Sequence, residues 1–110
     1  MKAFISLPYS VNGMRKSVAE IEHEMQRLAK YLAEKFGKHI IILDSYITDE
    51  QPPDLSGDNI GIWYIGKSLE VLAHADIAVF ANGWNSARGC IIEHEVAKRY
   101  GIPVLEVYMP

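Results

Sequence analysis

Cysteine is nearly missing from this 110-residue chain: Cys90 stands alone, so no intrachain disulfide can form and a reducing cytoplasm is the expected location. Metal-ligand spacing is missing as well. His39 and His74 are isolated, and His23 and His94 sit among glutamates, which argues against a zinc or other metal site and leaves no cofactor implied. Basic charge is scarce: 11 Lys and Arg against 14 Asp and Glu give a net charge of -3. No basic cluster exceeds Met14-Arg15-Lys16, so polymeric nucleic acid is not an expected partner. No apolar run approaches the roughly 20 residues that a bilayer crossing needs, so no membrane partner is expected either. The opening Met1 to Pro8 is too short and too strand-like for a signal peptide. Internal repeats and low-complexity tracts are also lacking. With 49% hydrophobic and 23% charged residues, what remains reads as one ordinary globular domain spanning 1–110.

The elements follow from periodicity. Ala3 to Leu7 is short, apolar and closed by Pro8, which fits a buried strand. Asn12 then offers a helix N-cap. From Met14 the apolar residues recur at Val18, Ile21, Met25, Leu28 and Leu32, one stripe on one helical face. Gly37 ends that helix where a left-handed residue is wanted. His39 to Leu43 is continuous and β-branched, expected as a strand covered on both faces. Ser45 to Asn59 carries Pro52-Pro53, Gly57 and four acids, and reads as a long surface loop of the kind used for binding. Asp58 or Asn59 caps a helix running to about His74, with Ile62, Ile65, Leu69 and Leu72 inward. Ile77 to Phe80 is a third strand, Ala87 to Tyr100 a closing helix, and Pro103 to Tyr108 a last strand. Alternation of this kind predicts an α/β fold, a doubly wound parallel sheet of about four strands with helices on both faces. The natural strand order is 2-1-3-4, with the topological switch between the first and third strands, where Tyr9 meets the loop after Phe80.

The stretch from Ala81 to Glu95 is where this frame would hold a ligand. A Gly- and Asn-rich loop carries Arg88, and Glu93 follows one helical turn later. Gly83, Ser86, Arg88 and Gly89 together can form an anion cradle at a helix start; alternatively Ser86 is simply the N-cap and Arg88 a solvated side chain. Glu93 has no basic residue three or four positions away on its helix. Its face adjoins Ile92 and Val96, expected to press toward the sheet, so burial would raise its pKa while the helix N-terminus lowers it. A poised carboxylate and an exposed surface glutamate are the two readings. Glu95, followed by Lys98 and Arg99, reads as surface ion pairing, and His94 as a surface residue near Lys98. Cys90 reads as a buried small residue rather than a nucleophile. Tyr9 either stacks on a ligand or fills its loop. Of the adjacent Trp63 and Tyr64 one should be buried, the other lining a site wall or subunit contact. Asp44, at a carboxyl end, could reach a ligand; Asp76, at an amino end, reads as a structural cap.

Several stretches resemble the nucleoside 2-deoxyribosyltransferase-like family. They are Phe4-Ile5-Ser6-Leu7-Pro8-Tyr9, Leu72 to Phe80, Arg88-Gly89-Cys90-Ile91-Ile92-Glu93-His94-Glu95-Val96-Ala97 and Tyr100-Gly101-Ile102-Pro103-Val104. The resemblance implies a flavodoxin-like fold and N-glycosidic chemistry on 2-deoxyribosides, with a small-molecule nucleoside or nucleotide as substrate. It assigns the nucleophile to Glu93, with Ala97 completing the family's Glu-x-x-x-Ala stretch, and attack at C1 of the deoxyribose. It implies a 5′-phosphate site at Ser86, Arg88 and Gly89, a base-lining role for Tyr9, and a homo-oligomer whose partners complete each other's sites. In one place the chain departs from the pattern. Where such enzymes carry an aspartate on the helix before the third strand, this chain has Ser68, so the proton donor is missing or comes from Asp44, the acidic loop or a neighbouring subunit. A nucleotide-binding module of the same fold without efficient chemistry is the alternative implied, and a plain interaction domain is a third.

Overall fold

The computed structural model describes residues 1–43 and 59–109. Asp44 and the acidic stretch 45–58 lie outside the described residues. The elements are β1 (Lys2–Ser6), a hairpin of β2 (Ser10–Val11) and β3 (Met14–Arg15), α1 (Val18–Phe36), β4 (Ile41–Leu43), α2 (Ile60–Leu72), β5 (Ile77–Phe80), α3 (Arg88–Arg99) and β6 (Val104–Glu106). Four strands form a parallel sheet in the order β4-β1-β5-β6. In strand-by-strand terms this is the expected 2-1-3-4, a doubly wound flavodoxin-like arrangement.

β1 is the centre of the sheet, and the pleat divides the core through it. Successive side chains of a strand point to opposite faces. Ala3, Ile5 and Leu7 therefore join Val79 and Ala81 on one face, where Ile21, Leu28 and Leu32 of α1 cover them. Phe4 joins Ala78 and Phe80 on the other face, with Leu72 of α2 and Ala97 of α3. The register Phe4↔Ala78, Ile5↔Val79, Ser6↔Phe80 keeps the two sets apart. Ser6 falls by the same alternation on the α2/α3 face. It is the polar residue in an otherwise apolar strand end, and it is buried.

Local signals were stronger than the helical stripe in one place. Asn12 does not cap α1. Asn12 and Gly13 have φ of 51° and 79°, both in the left-handed region, and form the two-residue turn of the β2–β3 hairpin, the geometry that Asn-Gly favours. The hairpin is closed by the Lys16 N–H donating to the Tyr9 carbonyl at 2.8 Å. Met14 is consequently an exposed strand residue, and α1 starts four residues later. Ser17 is its N-cap, in a capping box with Glu20. At the other end Gly37, at φ 100°, donates its N–H to the Ala33 carbonyl.

Other expectations are corrected by position in the sheet. β4 is an edge strand, not one covered on both faces: Ile41 is exposed and Ile42 and Leu43 are half-buried. On α2, Asn59 is the N-cap, accepting from the Gly61 N–H at 3.0 Å. Its inner face is shorter than predicted, since Ile62 is exposed and Leu72 is the one fully buried residue of the helix. Neither Trp63 nor Tyr64 is buried; their rings meet edge to face at 5.0 Å. The outer strand is confined to Val104–Glu106. Asp76 does tie down an end, accepting from the Lys2 N–H at 2.6 Å.

Phe80 carries the α3 side of the core: fully buried, it packs against Trp84 and His94 at ring-centroid distances of 5.7 and 4.8 Å. Phe80→Ala should therefore cost about 3–5 kcal/mol in urea-unfolding free energy. A cost below about 1 kcal/mol would mean that this cluster does not hold α3 to the sheet.

Candidate active site

A cavity of about 660 Å³ opens at the carboxyl end of β1, between α2, α3 and the hairpin. That size falls within the range of small-molecule sites. The location is the switch point: β1 pairs with β4 on one side and with β5 on the other, so the strand order reverses there.

Glu93 forms its floor. The buried stripe of α3 is Cys90, Glu93 and Ala97, spaced by one helical turn; Val96 packs half-buried against the Phe4 and Phe80 side of the core as the apolar pattern suggested, whereas Ile92 does not. Ile92 is exposed and faces the cavity mouth. The small side chains of Cys90 and Ala97 let the helix approach the sheet, and this brings the Glu93 carboxylate down to β1. There it is 7% exposed. Ser6 donates its hydroxyl to Oε1 at 2.7 Å, and the Ser68 hydroxyl of α2 donates to Oε2. One carboxylate thus joins β1, α2 and α3. No cation pairs with it among the described residues.

The electrostatics follow from that setting. Burial raises the Glu93 pKa above the usual glutamate value of 4.5, and the two serine hydroxyls partly oppose the rise by favouring the charged form. Burial also pushes the Cys90 thiol up to about 11; the Ser6 hydroxyl and Lys16 work against this and the Glu93 charge adds to it. A thiol so protonated at neutral pH is a poor nucleophile, which agrees with reading Cys90 as packing. Glu95 is ordinary by contrast, its pKa lowered by the Arg99 guanidinium, with which it pairs at 2.5 Å on the surface.

Of the residues expected at the site, Tyr9, Ser68, Arg88, Gly89 and Glu93 line the cavity. Gly83 and Ser86 do not line it. Gly83, at φ 85°, starts the turn Trp84–Ser86 and packs so near Pro8 that a Cβ would lie 3.4 Å from its Cγ. Ser86 is exposed, and the N-cap of α3 is Ala87, which supplies no side-chain bond. Asp44 lies outside the described residues. Sequence reasoning passed over Ser6, Arg15 and Asn59, all in the cavity wall. Ser6 could have been found as the lone hydroxyl in an apolar strand, and Arg15 by taking Asn12-Gly13 as a hairpin turn.

His94 also departs from expectation. Its ring stacks on Trp84 at 3.9 Å and 8° and its Nε2 lies 3.0 Å from Glu106 Oε1. Trp84 Nε1 donates to the Tyr108 hydroxyl at 3.3 Å, which in turn donates to Glu106 Oε2 at 3.4 Å. The residue after Glu93 is thereby fixed to β6 and to the turn before α3, which sets the rotation of the helix about its axis.

Among the described residues no three His, Cys, Asp or Glu side chains are placed to hold a metal ion, and no helix is long and apolar enough to cross a membrane. Comparison with protein-family models, with curated proteins and with solved structures returns no match to this chain.

Cys90 offers a direct check of the buried site. Iodoacetamide at pH 8 should modify it at least about tenfold more slowly in the folded protein than in urea, because the thiolate is both scarce and shielded. Equal rates would mean that the α3–β1 contact opens freely.

Proposed function

We propose that the protein cleaves or exchanges the N-glycosidic bond of a 2-deoxyribonucleoside or its nucleotide, as an N-deoxyribosyltransferase or hydrolase with Glu93 as nucleophile. The observation that carries this reading is the Glu93 carboxylate: desolvated, without a cation, held by one hydroxyl on each oxygen, at the floor of a nucleoside-sized cavity. Such a group costs stability where it stands, and strongly perturbed carboxylates in clefts are typical of working sites.

The chemistry runs in two displacements. Ionised Glu93 attacks C1 of the deoxyribose; the C1–N bond breaks, and the base departs with the electron pair and takes up a proton. The resulting glycosyl ester is opened by water, giving the free sugar, or by a second base, giving the exchanged nucleoside, and the carboxylate is regenerated. Ser6 and Ser68 orient the two carboxylate oxygens for that attack. Tyr9 flanks the base, while Arg88 and the Gly89 backbone at the start of α3 suit an anionic end of the substrate. Ser68 stands where a second acid is expected, so the departing base is protonated by solvent or by a group outside the described residues, Asp44 being one. No cofactor takes part. A reducing cytoplasm suits the buried free thiol of Cys90. The exposed Ile60, Ile62, Ile91 and Ile92 on α2 and α3 suit burial in a homo-oligomer.

A second reading is a nucleotide-binding module of the same fold. The observation favouring it is that Glu93 is the one carboxyl among the described residues lining the cavity, which leaves no paired acid in place.

Incubation with deoxynucleosides and their 5′-monophosphates, with released base measured by chromatography, separates the two. Glu93→Gln should lower base release by roughly 10³ or more while the protein stays folded. Undiminished release in that variant would sink the enzyme reading; saturable binding without product in the unaltered protein would establish the module.

The pH dependence gives an independent check. The nucleophile must be ionised and its pKa is raised, so activity should fall on acidification through a limb lying above 4.5. Ser68→Ala removes a bond that favours the charged form, so the same limb should move to higher pH. A shift to lower pH would contradict the assignment of that hydroxyl.

A further inference from the structure

Glu93 is only as well placed as the helix that carries it. α3 turns Cys90, Glu93 and Ala97 toward the sheet, and two of these three are small. A helix is held about its axis by bulky side chains that interdigitate with the layer beneath. Ala97 and half-buried Val96 hold the later turns of α3 to the Phe4–Phe80 cluster. The turn that bears Glu93 has no such side chain beneath it, and its neighbours Ile91 and Ile92 are exposed.

What grips that turn is a closed circuit of four side chains from three parts of the chain. The His94 ring lies flat on Trp84, with centroids 3.9 Å apart and planes 8° from parallel. Its Nε2 is 3.0 Å from Glu106 Oε1; an ionised carboxylate only accepts, so the ring nitrogen donates. Glu106 Oε2 accepts from the Tyr108 hydroxyl at 3.4 Å, and that hydroxyl accepts from Trp84 Nε1 at 3.3 Å, which returns to the stack. Phe80 of β5 meets both stacked rings, at 4.8 Å from His94 and 5.7 Å from Trp84. None of the four residues lines the cavity that holds Glu93. The circuit therefore acts on the helix from outside the site.

Its leverage is large because His94 directly follows Glu93. At about 5–6 Å from the axis, the outer radius of an α-helix, a turn of about 10° moves a side-chain atom by about 1 Å. A misplacement of that size at a reacting group can cost about a hundredfold in rate. The cavity walls that bind the rest of a ligand stay where they are.

We infer that His94 is a positioning residue for Glu93: its stack on Trp84 and its bond to Glu106 fix the rotation of α3 that aims the carboxylate at the reacting carbon. This rests on the proposed nucleophilic role of Glu93 and adds a group that acts on it from outside the cavity.

The test is steady-state base release from deoxynucleosides and their 5′-monophosphates by the full chain. The unaltered protein is compared with His94→Ala, Glu106→Ala, Glu106→Gln and the double variant His94→Ala/Glu106→Ala. His94→Ala should lower kcat about tenfold or more while KM stays within about threefold, because aim is lost and binding is not. Glu106→Ala should lower kcat in the same direction, and Glu106→Gln, whose amide oxygen still accepts from Nε2, should recover most of it. The double variant should fall no more than about twofold below His94→Ala, since both changes break one linkage. A purely structural role would lower the melting temperature and leave kcat of the folded protein unchanged; that result overturns the inference and leaves the proposed function standing. A raised KM with kcat held overturns it too, since His94 would then serve binding. Should His94→Ala fail to fold, the exposed Glu106 carries the comparison, and unaltered kcat in both of its single variants overturns the inference. No measurable base release by the unaltered protein overturns the proposed function and this inference with it.

Discussion

A strand covered on both faces has no surface to spare for a polar side chain, yet β1 carries Ser6 at its carboxyl end with both faces closed. The hydroxyl is tolerated because it gives its proton to Glu93 at 2.7 Å, and Glu93 in turn is tolerated inside the protein because Ser6 and Ser68 supply its hydrogen bonds. Each group would be costly to bury without the other. The arrangement of α2, α3 and β1 around the cavity depends on that mutual satisfaction, since the three elements meet at one carboxylate. It also explains why the inward stripe of α3 is made of small residues: a bulkier side chain at Cys90 or Ala97 would hold the helix off the sheet and break the contact.

The cations near this carboxylate are kept from neutralising it. The Lys16 side chain is largely buried, and it is committed to Glu24 on α1. The carboxylate is thus left to hydroxyl donors, which favour its charged form less strongly than an ammonium would. Its raised pKa is a consequence of burial, which the two serine hydroxyls only partly oppose. The two sides of the hairpin have different roles, Lys16 gripping the scaffold and Arg15 facing the cavity.

Much of this was readable in the residues. The parallel order of the four strands follows from alternation of apolar runs with helical stripes, and the prominence of Glu93 from its lack of a basic neighbour on its own helix. The anion cradle was only half legible: Arg88 and Gly89 reach the cavity, whereas Gly83 and Ser86 are spent on the turn that precedes α3. The remaining misses share a physical origin. An apolar residue every three or four positions does not say where a helix begins, so Met14 was drawn into a stripe although Asn12-Gly13 demanded a turn. Nor does such spacing tell whether an isoleucine such as Ile62 or Ile92 meets the core or the solvent, because that depends on which neighbours the fold brings. Ser6 became meaningful only once the strand register placed it beneath α3.

The stacking of His94 on Trp84 makes the two long walls of the cavity mechanically unequal. On the α3 side, a ring stack, an edge contact to Phe80 and the Glu106–Tyr108 pair brace the helix beside its carboxylate. On the α2 side, Leu72 at the far end is the one fully buried residue, and the half nearer the cavity mouth contains Gly61 and Gly66. The cavity is thus a cleft with one braced wall and one loosely packed wall, and the Ser68–Glu93 hydrogen bond is the side-chain tie that spans from one to the other.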